Sequence, residues 1–127
     1  TTCGPEHLDF VKSMGADRAF NYHEEKWYEV LANKSVDVVY DCVAHKGTGE
    51  LTFPKLKQGG RYVPLLPYSL AGREAKKERP DIKQKAIFCT DCAFHAHLDE
   101  LTKLVDAGQL RPHVDQAYVK ARLKGQA

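Results

Sequence analysis

The feature that most constrains the fold is a run of eight residues at positions 36–43, with the sequence VDVVYDCV. Its apolar residues are mostly β-branched and are nearly continuous along the run. A strand that is buried on both faces has this composition, and such strands occur in parallel sheets that helices cover on both sides. The run therefore predicts an interior strand of an α/β protein.

The segments on either side of this run alternate between strand and helix patterns. Further strands are predicted at 17–22 (DRAFNY), 59–66 (GGRYVPLL), 86–90 (AIFCT) and 112–118 (PHVDQAY). Helices are predicted at 4–15, 23–33, 49–58 and 97–108. The first has Pro5 in its first turn and Gly15 as a left-handed cap, and the last ends at Gly108. In the third, Pro54 weakens the helical pattern. Residues 72–85 form a charged connection, either a solvated loop or a frayed helix. This alternation predicts a doubly wound, mainly parallel α/β sheet.

The composition excludes several classes of protein. A formal charge of +2 over 127 residues is too small to indicate a nucleic-acid partner or an acidic membrane surface. No run of about 18 apolar residues predicts a transmembrane helix, and residues 1–10 do not have the pattern of a secretory signal. The four cysteines show no dense disulfide pattern, which favours a reducing, intracellular compartment, either cytoplasmic or mitochondrial.

Residues 89–101, CTDCAFHAHLDEL, raise the question of a zinc site. Zinc requires four converging ligands, and sites with a C-x2-C pair usually take the other two ligands from a distant segment. Here Cys89, Cys92, His95 and His97 lie within nine residues, between a predicted buried strand and a helix. We therefore predict no metal, and interpret the stretch as a strand end, a loop and a helix start.

Several segments, in this order and spacing, resemble the medium-chain dehydrogenase/reductases in their quinone oxidoreductase-like branch. They are LDFVKSMGADRAFNYHEE, VDVVYDCV, LKQGGRYVPLL and LDELTKLVDAGQLRPHVDQAY. The likeness extends over residues 1–118 and is nearest to reticulon-interacting mitochondrial reductases and zeta-crystallin. It implies a Rossmann domain that binds NADP(H), in zinc-independent enzymes that pass a hydride to quinones, enones or related carbonyl compounds.

The sequence also departs from this family. The family's first strand and its glycine-rich phosphate loop would lie upstream of Thr1, and no equivalent loop occurs here. Residues 41–45, DCVAH, stand where the family usually has D-x-V-G-G, so two glycines are replaced. We therefore expect residues 1–127 to be a partial Rossmann domain without its first strand and glycine loop, with 118–127 as a clipped tail and the N-terminal catalytic domain absent.

The resemblance implies cofactor contacts at the carboxyl ends of the strands, where ligands bind in such sheets. Cys3 and Gly4 would meet the adenosine ribose, and Tyr22 the adenosine phosphate. The nicotinamide half would contact Cys42, Val43 and Ala44, then Leu66, Pro67 and Tyr68, and also Phe88, Cys89 and Thr90. NADPH is expected because the Cys3–Gly4 turn has no carboxylate to repel a 2′-phosphate, although it has no Arg or Lys and Glu6 is near.

Other interpretations remain open. Tyr22 and Cys42 could serve packing alone, Tyr68 could donate a proton by analogy with other reductases, and the charged run 73–85 could be a solvated surface or a phosphate-binding patch. No residue is assigned a catalytic step. The expected partners are the cofactor and a small carbonyl or quinone substrate. A homodimer formed through PHVDQAYV is a further alternative.

The alternative function is a catalytically inactive remnant that acts as a binding or dimerisation module. Without the first strand, VDVVYD would have an unpaired edge. The isolated chain is therefore expected to be inactive, marginally stable and self-associating, and to bind NADPH weakly or not at all.

Overall fold

The computed structural model describes residues 1–87 and 94–114. The chain divides into two compact units, Thr1–Cys89 and Thr90–Ala127, which are described separately. In the first unit the strands are β1 (Thr2–Cys3), β2 (Phe20–Asn21), β3 (Val36–Asp41), β4 (Leu56–Pro64) and β5 (Lys83–Gln84). Its α-helices are α1 (Leu8–Ser13), α2 (Trp27–Val30), α3 (Thr48–Thr52) and α4 (Arg73–Glu78), and the second unit contributes α5 (Phe94–Asp106).

All strand pairs of the first unit are parallel, which confirms the predicted α/β class. β1 pairs with β2, and Thr2 lies opposite Phe20. The strands β3, β4 and β5 form a second sheet in that order, with β4 at its centre. The register between β3 and β4 shifts between Val36 and Val38, and Gly59 on β4 has a φ of +71°, a value that suits glycine.

The helices agree with prediction in place but not always in length. α1 follows a 3-10 turn at Pro5–His7, and Gly15 (φ +99°) ends it as expected, as Gly108 (φ +69°) does after α5. The helix predicted at 23–33 is reduced to α2. The helix predicted at 49–58 ends at Thr52, and after a 3-10 turn at Phe53–Lys55 the chain enters β4, because Pro54 cannot continue an α-helix.

The charged connection at 72–85 was predicted to be either a solvated loop or a frayed helix, and the helix alternative is confirmed for its first part, but the strand in its second part was not predicted. It contains α4 and then β5, which lies beside β4. β5 ends at Gln84, so residues 86–87 of the strand predicted at 86–90 are not in a strand, although the N–H groups of Lys85 and Ile87 donate to the carbonyl oxygens of Tyr62 and Pro64 on β4. Residues 88–90 lie outside the described part of the chain. Residues 112–114 of the predicted last strand are not in a strand, and residues 115–118 are likewise not described.

The core of the first unit lies on one face of the second sheet. It consists of Phe53, Leu56, Tyr62, Ala71 and Ile82, all at most 7% exposed, with Val36 and Val39 packed against it. The prediction that the run 36–43 is a strand buried on both faces was wrong, since each residue of β3 is exposed or half-buried. Val38 is 53% and Tyr40 is 58% exposed, because successive side chains of a strand point to opposite faces and these two lie on the face away from Val39 and the core. In the described part of the chain β3 pairs with β4 alone, so the predicted unpaired edge is present.

One arginine ties the start of β4 to the segment that follows α4. The Arg79 guanidinium donates to the carbonyl oxygens of Phe53, Leu56 and Lys57 at 3.1–3.2 Å. It also forms two bonds to the Asp81 carboxylate, at 2.9 and 3.0 Å, and that carboxylate accepts the Gly59 N–H at 3.0 Å. Because planar guanidinium groups suit such multiple acceptors, Arg79 fixes this turn in a way that lysine could not.

Within residues 1–87 and 94–114, no helix has both the length and the apolar character needed to cross a membrane.

The Arg79–Asp81 pair predicts a specific acid sensitivity. The Arg79 guanidinium and the Gly59 N–H hold the pKa of Asp81 well below its ordinary value of 3.8. A carboxylate with a depressed folded-state pKa stabilises the fold above its unfolded-state pKa, and this contribution is lost as the pH falls further. We expect the free energy of unfolding in urea to fall below about pH 3.8, and Asp81→Asn to remove most of that fall and to be less stable at neutral pH. The control is Asp37→Asn, since the Asp37 side chain is 76% exposed and its ion pair with Lys57 is a surface pair, which contributes little to stability. An unchanged acid dependence in Asp81→Asn would contradict this role.

The unpaired edge of β3 predicts self-association. Edge strands with unsatisfied N–H and C=O groups pair with other chains, and a charged side chain on the edge opposes such pairing. We expect the 127-residue chain to form oligomers in analytical ultracentrifugation, and Val38→Lys to shift it toward the monomer. Met14→Lys is the matched control, because Met14 is 65% exposed and follows α1. If the 127-residue chain without substitutions is monomeric and melts cooperatively, the edge of β3 does not cause self-association.

Candidate functional site

The carboxyl ends of β3 and β4 lie side by side, because these two strands are parallel neighbours. Residues 42–44 follow β3 and are called the β3 loop, and residues 65–69 follow β4 and are called the β4 loop. The Leu65 N–H donates to the Asp41 carbonyl oxygen at 3.0 Å, so the pairing continues into the loops. The structure thus brings together two of the predicted groups of site residues, Cys42–Ala44 and Leu66–Tyr68.

The β3 loop is shaped by the carboxylate that precedes it. Asp41 Oδ1 accepts the N–H of Val43 at 3.1 Å and that of Ala44 at 2.7 Å. Ala44 is fully buried and has a φ of +55°, a conformation uncommon for residues other than glycine. Cys42 and Val43 are exposed, and Val43 is 62% exposed. A hydrogen bond to Asp41 rather than packing therefore holds the exposed Val43, and a second bond to Asp41 holds the buried Ala44.

The β4 loop contains a 3-10 turn at Pro67–Ser69. Leu66 is half-buried, while Pro67 and Tyr68 are exposed, with Tyr68 at 59%. Within the described residues, the N–H groups of Leu66 and Tyr68 have no acceptor. This loop therefore offers two main-chain donors at the carboxyl edge of the sheet.

The other predicted residues lie at the ends of β1 and β2. Cys3 is half-buried, Gly4 is buried, and Tyr22 is 58% exposed with its ring 4.2 Å from that of His23. The Glu6 carboxylate folds back over Gly4, with its oxygens 2.5 and 2.8 Å from the position that a Cβ on Gly4 would take. The His7 imidazole lies 3.5 Å from the same carboxylate. The Glu6 carboxylate, which the sequence analysis placed only near this turn, thus lies directly against Gly4.

A groove of about 300 Å³ separates the two sheets of the first unit. Thr2 and Phe20 line it from one sheet, Val38 and Tyr40 from the edge of the other, and Trp27 also contributes. Of the predicted cofactor residues that the structure describes, none lines this groove. Asp41, which precedes the β3 loop, does line it, so the groove follows the unpaired edge of β3 up to the end of the strand.

Asp41 and Tyr62 were missed by the sequence analysis as site residues. The Tyr62 hydroxyl donates to Asp41 Oδ2 at 2.9 Å from a fully buried position on β4. Two signals were available in the sequence: a carboxylate at the end of an apolar strand, and a tyrosine in a strand expected to be buried, whose hydroxyl needs a partner.

The described residues contain no group of three or more His, Cys, Asp or Glu side chains placed to hold a metal ion. His95 and His97 lie on α5, but Cys89 and Cys92 are outside the described residues, as are the predicted cofactor residues Phe88, Cys89 and Thr90. The absence of a metal site therefore stays a prediction.

Comparison with known proteins identifies the family. The family model described as "Zinc-binding dehydrogenase" matches residues 14–123. The "Trans-enoyl reductase apdC" of Emericella nidulans is 25% identical over 134 residues, covering 89% of this chain and 40% of that protein. The "Probable zinc-binding oxidoreductase, mitochondrial" of Arthroderma benhamiae is 29% identical over 120 residues, covering 92% of this chain and 35% of that protein.

A solved structure agrees with these matches. The quinone oxidoreductase from Coxiella burnetii superposes with a TM-score of 0.69 at 28% identity, and the match covers 91% of this chain and 35% of that one. The chain thus spans about two fifths or less of the length of these relatives. By the extent of the family match, the chain belongs to the zinc-binding dehydrogenase family, within the medium-chain dehydrogenase/reductase group of oxidoreductases.

Proposed function

We propose that this chain is part of the cofactor domain of an NADP(H)-dependent, zinc-independent reductase of quinones, enones or related carbonyl compounds. The observation that carries the proposal is the junction of the β3 and β4 loops at the carboxyl edge of a parallel sheet, where ligands of such sheets bind. The relatives named as enoyl reductase and quinone oxidoreductase support this class of substrate.

The groups present suit the two ends of a nicotinamide dinucleotide. The main-chain donors of Leu66 and Tyr68 suit the carboxamide oxygen, and the exposed Cys42 and Val43 would flank the nicotinamide ribose. At the ends of β1 and β2, the Glu6 carboxylate suits ribose hydroxyls, and Tyr22 offers an exposed aromatic ring. When bound, the cofactor supplies the hydride. The residues of this chain orient it, which brings donor and acceptor into a reactive geometry.

Glu6 bears directly on the choice of cofactor. A carboxylate at the end of this strand accepts hydrogen bonds from a free 2′-hydroxyl and repels a 2′-phosphate. The expected preference for NADPH rested on a Cys3–Gly4 turn without a carboxylate, and Glu6 places one against Gly4. We therefore propose that Glu6 limits the preference of this chain for NADPH.

A second candidate function is an inactive module for binding or dimerisation. The unpaired edge of β3, with Val38 and Tyr40 more than half exposed, favours it. The two candidates differ in one observable property, since only the first requires saturable binding of a nicotinamide dinucleotide at the strand-end loops.

Removing the charge of Glu6 should shift the cofactor preference. We expect Glu6→Gln to raise the ratio of NADPH to NADH affinity by roughly tenfold, equivalent to about 1.4 kcal/mol, because repulsion of the 2′-phosphate is lost. Fluorescence of the reduced nicotinamide and of Trp27 would follow both titrations, extended to millimolar cofactor because binding to the isolated chain is expected to be weak.

The matched control is Glu74→Gln on α4, which changes the net charge equally at an exposed position. An equal shift in Glu74→Gln, or none in Glu6→Gln, would contradict a local role for Glu6. The absence of saturable binding of either cofactor would contradict the proposed function itself and favour the second candidate.

A further inference from the structure

The Asp41 carboxylate connects the β3 loop to the interior of the sheet. One of its oxygens, Oδ1, accepts the two successive N–H groups of Val43 and Ala44. The other, Oδ2, accepts the Tyr62 hydroxyl at 2.9 Å. Each oxygen thus serves a different segment, and the carboxylate is shared between an exposed loop and a fully buried side chain on β4.

Tyr62 continues the connection to the β4 loop. Its hydroxyl lies 3.2 Å from Ser69 Oγ and 3.3 Å from the Ser69 carbonyl oxygen. The Ser69 hydroxyl lies 2.9 Å from the Leu66 carbonyl oxygen, and Ser69 is fully buried. The Tyr62 hydroxyl has a single hydrogen, and this goes to Asp41, so the Ser69 hydroxyl donates its own hydrogen either to the Tyr62 oxygen or to the Leu66 carbonyl oxygen. The hydrogen-bonded chain therefore runs from the Val43 and Ala44 amides through Asp41 to Tyr62, and the Ser69 hydroxyl in the β4 loop lies against its end.

The hydroxyl at the end of this chain stays a donor at all ordinary pH values. Burial, together with the Asp41 carboxylate beside it, raises the pKa of Tyr62 well above its ordinary value. A protonated phenol that donates to a carboxylate forms a charge-assisted bond, which is stronger than a bond between neutral groups. Both loops are thus tied to one persistent interaction inside the sheet.

We propose that Asp41 and Tyr62 are positioning residues that hold the β3 and β4 loops in one fixed arrangement for the nicotinamide end of the cofactor. This rests on the proposed function. Cys42 and Val43 have little packing of their own, and the left-handed conformation of Ala44 needs local support. The Asp41–Tyr62 bond supplies this support and links it to the β4 loop, so that the two loops do not move independently.

Tyr62→Phe tests this coupling most cleanly, because it keeps the ring and leaves the Asp41 bonds to Val43 and Ala44 intact. We expect it to weaken NADPH binding about fivefold, the effect of losing one buried hydrogen bond. Binding of adenosine 2′,5′-bisphosphate, which lacks the nicotinamide half, should be unchanged. Tyr40→Phe is the matched control, since Tyr40 is 58% exposed on the neighbouring strand and should lose neither affinity.

Two outcomes would overturn the proposal: unchanged NADPH binding in Tyr62→Phe, or an equal loss for NADPH and for the bisphosphate, which would indicate general loosening of the fold.

A comparison of two substitutions at Asp41 gives a second test. Asp41→Asn keeps an oxygen that can accept the Val43 and Ala44 amides, so it should retain more NADPH affinity than Asp41→Ala. Equal losses in the two variants would contradict positioning by Asp41.

A measurement on the chain without cofactor tests the coupling of the two loops independently of the proposed function. Amide hydrogen exchange at Val43, Ala44 and Ser69 should accelerate in Tyr62→Phe and stay unchanged in Tyr40→Phe. If the unchanged chain binds neither ligand, the proposed function fails, and the exchange rates alone decide the coupling. Faster exchange at Val43 and Ala44 supports the coupling, and unchanged exchange refutes it.

Discussion

The parallel pairing of β3 with β4 is the constraint on which the rest of the first unit depends. It sets the ends of both strands at one edge, so that Asp41 can reach both the β3 loop and Tyr62. It also places Leu56 and Tyr62 in the core, against Phe53 and Ile82. The Arg79–Asp81 pair secures the beginning of β4, and the Asp41–Tyr62 pair secures its end. The candidate site is therefore a direct consequence of how two strands are paired.

Among the described strands β3 pairs with β4 alone, so its other side has no neighbour there. β1 and β2 form a separate sheet, and a groove lies between that sheet and the edge of β3. One apolar strand thus has two different environments: Val39 packs on the core, while Val38 is exposed. Under the proposed function, stability and cofactor binding are linked for this reason, since an edge that attracts other chains competes with a loop arrangement that depends on β3 remaining in place.

Where the sequence pattern was strong, the fold could be predicted. The β-branched run of β3, the glycine caps after α1 and α5, and the order of strands and helices followed from local chemistry. The pattern could not give the length of a helix interrupted by Pro54, because pairing of Leu56 with Val36 competes with helix formation. It also could not show that β3 lacks a second neighbour. At the site, the loops were predicted, but the Glu6 carboxylate against Gly4 and the Asp41–Tyr62 bond depend on side-chain directions that spacing does not reveal.

The central claim is that the β3 and β4 loops together receive the nicotinamide end of the cofactor. Chemical-shift mapping of the isotope-labelled chain during titration with NADPH tests it most directly. The account predicts the largest changes at the amides of Cys42, Val43, Ala44, Leu66 and Tyr68, with little change along α4. Changes confined to the charged segment around α4, or no changes up to millimolar NADPH, would contradict it.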